Sequence, residues 1–231
     1  MENMVRVVDF HTHILPGVDD GAQSMEHALE IVRRGVQDGI DTFVLTPHIR
    51  GDSDLVRLPH IRDRFSQLQE RCRLEKIPAE LVLGAEVLVF PSLPEHAEKY
   101  MHFTLGGPEK YILIELPFTQ MPLYADHVLN SLLVKDFTPV LAHPERYLYL
   151  HGKLDLIEDW VDKGLKLQIN TGSLNGRYGL RIKWFANKLV KKKLAHFFGS
   201  DVHSVHDYVP SFRETMKNAS KVLGKQRCAT A

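Results

Sequence analysis

Seven short apolar runs recur along the chain: Val5–Phe10, Thr42–Thr46, Leu81–Val89, Tyr111–Leu116, Pro139–Ala142, Leu167–Ile169 and His196–Phe198. They are rich in β-branched and aromatic residues and nearly continuous rather than alternating. That is the pattern of strands covered on both faces in a parallel sheet. Amphipathic stretches at helical spacing lie between them. Ser24–Gln37 opens on a capping serine and carries Ala28, Leu29, Ile31, Val32 and Val36 on one side. Ile61–Glu75, Ala125–Val134, Leu154–Val161, Lys183–Val190 and Phe212–Leu223 read the same way, and Ser92–Tyr100 is a weaker instance. Gly35, Gly39, Gly106, Gly107 and Gly164 punctuate the ends.

Strand followed by helix, repeated, predicts an α/β fold with mostly parallel strands. We expect closure into a barrel, with an open doubly wound sheet as the alternative. No linker, low-complexity tract or composition shift breaks the pattern, so residues 1–231 read as one domain. The chain is 44% hydrophobic and 25% charged, which suits a packed core and argues against disorder. Lys+Arg and Asp+Glu both number 29, without the basic excess usual in a nucleic-acid binder. No run of about 18 apolar residues predicts a membrane span. The opening MENMVRVVDF lacks a secretory apolar core, so a cytoplasmic protein is expected. Cys72 and Cys228 make no disulfide framework. The unusual figure is 13 histidines.

Polar residues gather at the ends of the apolar runs. The first leads into DFHTH, with Asp9, His11 and His13 at alternate positions and so on one face of a strand. The second is followed by TPH, at His48. The third holds GAE, at Glu86, and the fourth IELP, at Glu115. The fifth leads into AHPER, with His143 and Arg146, and the sixth into QINTGS. The seventh leads into GSDVH, where Asp201 and His203 are again two apart. The loop after the first run adds Asp19 and Asp20 in GVDDG.

In parallel α/β folds the C-terminal strand ends form one face, and active sites sit there. Imidazoles and carboxylates on such a face suit zinc, manganese or iron. The candidates are too many for one ion, so two or three ions sharing carboxylates is the natural reading. Paired ions clamp the attacking and leaving oxygens of a phosphoryl displacement. Glu115 is the ligand most easily recast as a support, and Asp9, deeper in its strand, reads as one. Asp19 competes with its neighbour Asp20. His27, His60, His96, His102, His127, His151 and His196 have no partners in sequence and read as surface or core residues. His206 is open to substrate contact, and the LVKKK run at Leu189–Lys193 reads as a solvated helix face.

The series DFHTH, TPH, GAE, AHPER and SDVH resembles the polymerase-and-histidinol-phosphatase (PHP) superfamily. More narrowly, HILPGVDDGAQS, YILIELPF, PVLAHPER and GSDVH are similar to bacterial manganese-dependent tyrosine phosphatases of capsule and exopolysaccharide clusters, the CpsB/CapC group. The similarity runs from about Val5 to about His203. It implies a distorted seven-stranded (β/α) TIM-like barrel of the PHP fold with a three-ion site. His11, His13, Glu86 and Asp201 would hold the first ion. Glu86, Glu115 and His143 would hold the second, and Asp20, His48 and His203 the third. Arg146 would bind the substrate phosphate, which its planar fork suits. The implied metal is manganese, although ligand chemistry alone also admits zinc or iron. The implied partner is a phosphotyrosine protein, the tail of a bacterial tyrosine kinase of polysaccharide export. A homo-oligomer stays open. One place departs from the pattern: where members often carry an Arg after the last histidine this chain has Tyr208, and Arg213 lies further on.

The chemistry follows without the family. Water activated by divalent ions is a nucleophile at neutral pH. A phenolate leaving group, of pKa about 10, needs less acid help than an alkoxide. Asp201 and His203 are candidates to relay a proton. A cysteine-phosphatase mechanism is disfavoured, because Cys72 sits on a helical pattern and Cys228 near the chain end. Three competing functions remain: another PHP phosphoesterase acting on histidinol phosphate or a nucleic-acid end, an amidohydrolase or deaminase, and a non-catalytic metal-binding module. The carboxylate-rich set and HPER argue against the second, and the complete ligand series against the third.

Overall fold

The computed structural model describes residues 6–100, 110–208 and 211–223. The expectations at Val5, His102, Gly106, Gly107 and Cys228 lie outside them. Among the described residues the strands are β1 (Val8–Thr12), β2 (Thr42–Leu45), β3 (His48–Ile49), β4 (Glu80–Leu83), β5 (Glu86–Leu88), β6 (Lys110–Glu115), β7 (Phe137–Ala142), β8 (Lys166–Asn170) and β9 (Phe197–Gly199). Every pairing is parallel, in the orders β1-β2-β4 and β3-β5-β6-β7-β8-β9.

The third expected strand is split at Gly84 and Ala85, and the second, expected over Thr42–Thr46, is continued beyond Pro47 by the short strand β3. Pro47 has no N–H to donate, so the ladder cannot run straight through it. Gly84 N–H to Leu45 O (2.8 Å) and Glu86 N–H to Pro47 O (3.1 Å) carry the pairing across the break. The last strand returns to the first. Asp201 N–H donates to His11 O and His13 N–H to Val202 O, both at 2.9 Å, and Thr12 bridges Val202 in parallel. With each split run counted once, seven strands form a distorted circuit, closed by these few bonds.

The helices are α1 (Met25–Gln37), α2 (Leu58–Leu74), α3 (Leu93–His96), α4 (Ala125–Val134), α5 (Leu154–Asp162), α6 (Thr171–Asn175), α7 (Leu180–Lys191) and α8 (Phe212–Leu223). Ser24 caps α1 as expected, accepting from His27 N–H at 3.1 Å. The helix expected over Ser92–Tyr100 shrinks to α3. No described helix is long and apolar enough to cross a membrane.

The strands divide the apolar core in two. Phe10, Val44, Leu113, Val140, Ala142 and Phe197 form a small inner plug, with the Phe10 and Phe197 rings stacked at 4.1 Å. Alternate residues such as Phe43, Ile112, Ile114, Leu141, Leu167 and Ile169 pack in the larger core with the helices. Along the inner positions the chemistry changes towards the C-terminal ends. On β6, Tyr111 and Leu113 are followed by Glu115, and on β7, Val140 and Ala142 lead to His143. The ionic side chains thus sit above an apolar floor.

Candidate metal centre

The site begins with an irregularity. Asp9 pairs with Phe43 and Thr12 with Leu45, so β1 carries one extra residue, a β-bulge. The bulge interrupts the alternation that would give Asp9, His11 and His13 one face. Asp9 instead accepts from Ser200 N–H (2.8 Å) and Tyr208 Oη (3.2 Å). His11 and His13 meet, their Nε2 atoms 3.0 Å apart.

Four overlapping groups of donors form around them: His13, Asp20, His48 and His203; His11, Glu86 and His143; His11, His13 and Asp201; His48, Glu86 and Glu115. Within each group the donor atoms lie within 4.8 Å of one another. Every candidate ligand taken from the sequence belongs to at least one group. Glu86 is the hub. Its Oε2 lies 3.2 Å from His11 Nε2, 3.3 Å from His13 Nε2 and 3.1 Å from His48 Nδ1, and its Oε1 lies 3.1 Å from His143 Nε2. Asp201 Oδ1 is 3.6 Å and 3.5 Å from the same nitrogens of His11 and His13. Glu115 stands 3.9 Å from both His48 and His143. Asp20, on the exposed rim, is 3.5 Å from His48 and 3.6 Å from His203.

This donor set fits divalent cations. Two imidazoles aim nitrogens at each other, and one carboxylate oxygen serves three imidazoles. Without a cation, only shared protons reconcile so many lone pairs. Nitrogen and carboxylate oxygen donors together suit zinc, manganese or iron.

A further set of side chains orients the donors. Gln168 Oε1 faces His11 Nδ1, and Asp19 Oδ2 faces His13 Nδ1, each at 3.0 Å. His203 Nδ1 meets the Asp201 carbonyl at 3.0 Å, and Asn170 Nδ2 donates to Asp201 Oδ2 at 2.8 Å. Such bonds to the outer nitrogen fix the tautomer that presents a lone pair inward. Asp19 therefore serves His13, and Asp20 is left to the donor groups. Gln168 and Asn170 escape sequence reasoning. Their signal was two amides alternating with apolar residues in the buried strand KLQIN. His143 (φ 33°) and Asp201 (φ 56°) hold left-handed backbone conformations where the chain leaves its strands, a strain typical of functional sites.

Protonation reflects the crowding. Burial works against charge on Glu86, but His11, His13 and His143 hold it well below the usual carboxylate range. Asp201, also buried, falls to about 2 beside His11, His143 and His13. Burial opposes charge on His11 too, and Glu86 and Asp201 outweigh it, raising the imidazole. His13 rises well above its ordinary value against the same burial, through Asp19 and Glu86. Burial wins at His143, which is lowered. Glu115 is pushed up to about 7 by burial and by the charge of Glu86.

Arg146 stands beside the donors, its Nη1 donating to Asp201 Oδ2 at 2.6 Å. Its guanidinium lies over two rings, 4.9 Å from the Phe118 centroid and 4.5 Å from that of Tyr178. Tyr208 is buried and bonded to Asp9, and Arg213 lies against Gly39, which precedes β2 at the opposite end from His48. Neither brings a cation to the mouth. His27, His60, His96, His127, His151 and His196 belong to none of the four groups. His151 Nε2 bonds the Glu145 carbonyl, and His196 Nδ1 accepts from Leu167 N–H. His206 is exposed on the turn Val205–Tyr208. Cys72 is buried on α2.

Known proteins resemble this chain in sequence and fold. Residues 7–230 match the family described as capsular polysaccharide synthesis, CpsB/CapC. The chain is 36% identical over 199 residues to tyrosine-protein phosphatase YwqE of Bacillus subtilis, covering 86% of this chain and 78% of that protein. It is 26% identical over 229 residues to tyrosine-protein phosphatase CpsB of Streptococcus agalactiae, covering 96% and 93%. A solved structure from work on YwqE of Bacillus subtilis and CpsB of Streptococcus pneumoniae, described as unique metal-dependent tyrosine phosphatases, superposes with a TM-score of 0.78. Its identity is 33%, and the match covers 94% of each chain. Histidinol phosphate phosphatase of Lactococcus lactis, 13% identical with a TM-score of 0.57 over 94% of each chain, shares the fold. With its parallel α/β circuit of the PHP type and a family match over nearly its whole length, the chain belongs to the CpsB/CapC family of capsular polysaccharide synthesis.

Proposed function

We propose that this protein is a metal-dependent phosphatase that hydrolyses phosphotyrosine on protein. The observation that carries the proposal is the convergence of the His, Asp and Glu donors on one strand-end face with the Arg146 guanidinium beside them. The names of YwqE and CpsB as tyrosine-protein phosphatases support it.

His11, His13, Asp20, His48, Glu86, Glu115, His143, Asp201 and His203 would hold two or three divalent ions, with manganese our choice and zinc or iron admitted by the donors. Bound there, divalent ions supply an acidified water and neutralise charge on phosphoryl oxygens. The chain's own residues do the rest. Glu86, with both oxygens among imidazoles, ties the groups together. Arg146 spends one N–H on Asp201 and keeps others for a substrate phosphate, which a guanidinium grips at two oxygens. In this reading His203, partly exposed at the rim, would pass a proton to the leaving phenolate, with the ionised Asp201 carboxylate 3.7 Å from its Nδ1 as support.

Residues 1–231 act in this reading as one PHP-type phosphoesterase domain in the cytoplasm. The partner is a phosphotyrosine protein, for which we propose the C-terminal tail of a tyrosine kinase controlling polysaccharide export. Balanced net charge speaks against a nucleic-acid substrate.

The test is turnover of a phosphotyrosine peptide and of histidinol phosphate by EDTA-stripped protein with and without Mn²⁺. Peptide turnover is expected only with the ion, and His11→Ala lowers it by at least about a hundredfold. Full activity of the His11→Ala protein in EDTA refutes the proposal. A preference for histidinol phosphate moves the protein to another substrate class.

A further inference from the structure

Phe118 lies on the loop between β6 and α4 with 47% of its surface exposed, although large apolar rings are usually covered. Its surroundings fix its position. The ring stacks on His143, with centroids 5.5 Å and planes 14° apart, and meets Tyr147 at 5.4 Å. The Arg146 guanidinium lies 4.9 Å from the same ring and 4.5 Å from Tyr178, which precedes α7. An exposed aromatic edge therefore joins a candidate metal ligand to the proposed phosphate-binding cation.

A phosphomonoester attaches its carbon to phosphorus through a single oxygen. A phosphate held between the donor groups and Arg146 must present its organic group within a few bonds of both. We infer that Phe118, together with Tyr178, forms an aromatic slot that takes the ring of an aryl phosphate and favours it over an alkyl phosphate. The slot rests on the phosphatase reading of the site. Its physical basis is ring–ring contact, which prefers offset or edge-on aromatic partners and which an alkyl chain cannot supply. The two rings also hold the guanidinium through cation–π contact, so one device positions the cation and selects the substrate. A phosphoserine carries no ring to lay on this edge.

The experiment measures binding of phenylphosphonate and methylphosphonate to the Mn²⁺-loaded full chain by calorimetry, with metal content and melting temperature alongside. Wild type binds phenylphosphonate more tightly. Phe118→Ala lowers the ratio of the two affinities about tenfold, the scale of one lost aromatic contact. Phe118→Tyr restores the ratio. In kinetics the loss appears in KM for phenyl phosphate rather than in kcat. Equal affinities in wild type, or an unchanged ratio in a folded, metal-replete Phe118→Ala protein, overturns the slot while leaving phosphatase activity standing. Preference for phenylphosphonate in a protein that hydrolyses no phosphomonoester overturns the phosphatase reading and leaves the slot.

Discussion

Gln168 is fully buried beneath the donor groups with its amide engaged on both sides. Its Oε1 faces His11 Nδ1 and the His143 N–H, and its Nε2 donates to Asn170. Because Oε1 only accepts, the proton on His11 Nδ1 points at it, which leaves Nε2 for an ion when one is bound. Gln168→Leu leaves that N–H buried without a partner. Titration of the stripped protein with Mn²⁺ should show about 10–100-fold weaker binding, the usual effect of removing such a support. Wild-type affinity would sink the role. The candidate ligands were legible, because His, Asp and Glu at the ends of apolar runs are costly to place by chance. Gln168 was not: its partner lies 157 residues away, and an amide in a strand carries no spacing that names its bond. Phe118 and Tyr178 were equally silent, since aromatic residues near element ends ordinarily read as core.

At the scale of elements, closure depends on how closely β9 approaches β1. A methyl group at Gly199 would fall 2.5 Å from His11 Cβ and 2.9 Å from both His11 N and Gln168 Nε2. Backbone and a buried side chain cannot yield that distance, so Gly199→Ala must push the strands apart. The expected cost is about 1–3 kcal/mol of stability, as for other overpacked interiors. His11 shifts with its strand, so ion affinity falls in parallel. Urea unfolding and Mn²⁺ titration of the same sample test this, and a variant normal in both would show that the strands have room to spare. The alternation of strand and helix was plain in the hydrophobic pattern. The breaks at Pro47 and Gly84 and the bulge in β1 were not, because an apolar run looks the same whether its ladder is continuous or interrupted. The bulge matters most: simple parity put Asp9 with His11 and His13, whereas one extra residue assigns it to Ser200 and Tyr208.

The whole molecule balances 29 acidic against 29 basic side chains, yet its mouth collects Asp19, Glu86, Glu115 and Asp201, with Asp20 on the rim, beside the Arg146 guanidinium. Buried carboxylates at this density need counter-charge. In ion-free protein, protons on His11 and His13 supply it, since both imidazoles are raised above their ordinary 6.5. A group raised on folding adds stability that is fully present below its unfolded value and is lost as pH rises through the folded one. The EDTA-treated protein should therefore melt at a lower temperature as pH climbs from about 6 to about 8. Divalent ions then take over the role the protons leave. Mn²⁺ at a hundred times its Kd adds about 2.7 kcal/mol, or about 5–10 °C for a chain of this length. The gain at a fixed ion concentration is larger at pH 8 than at pH 6, because fewer protons compete for the same nitrogens. Scanning calorimetry at the two pH values, with EDTA and with Mn²⁺, measures both trends. A melting temperature indifferent to the ion at either pH would mean that the clustered imidazoles and carboxylates do not hold it.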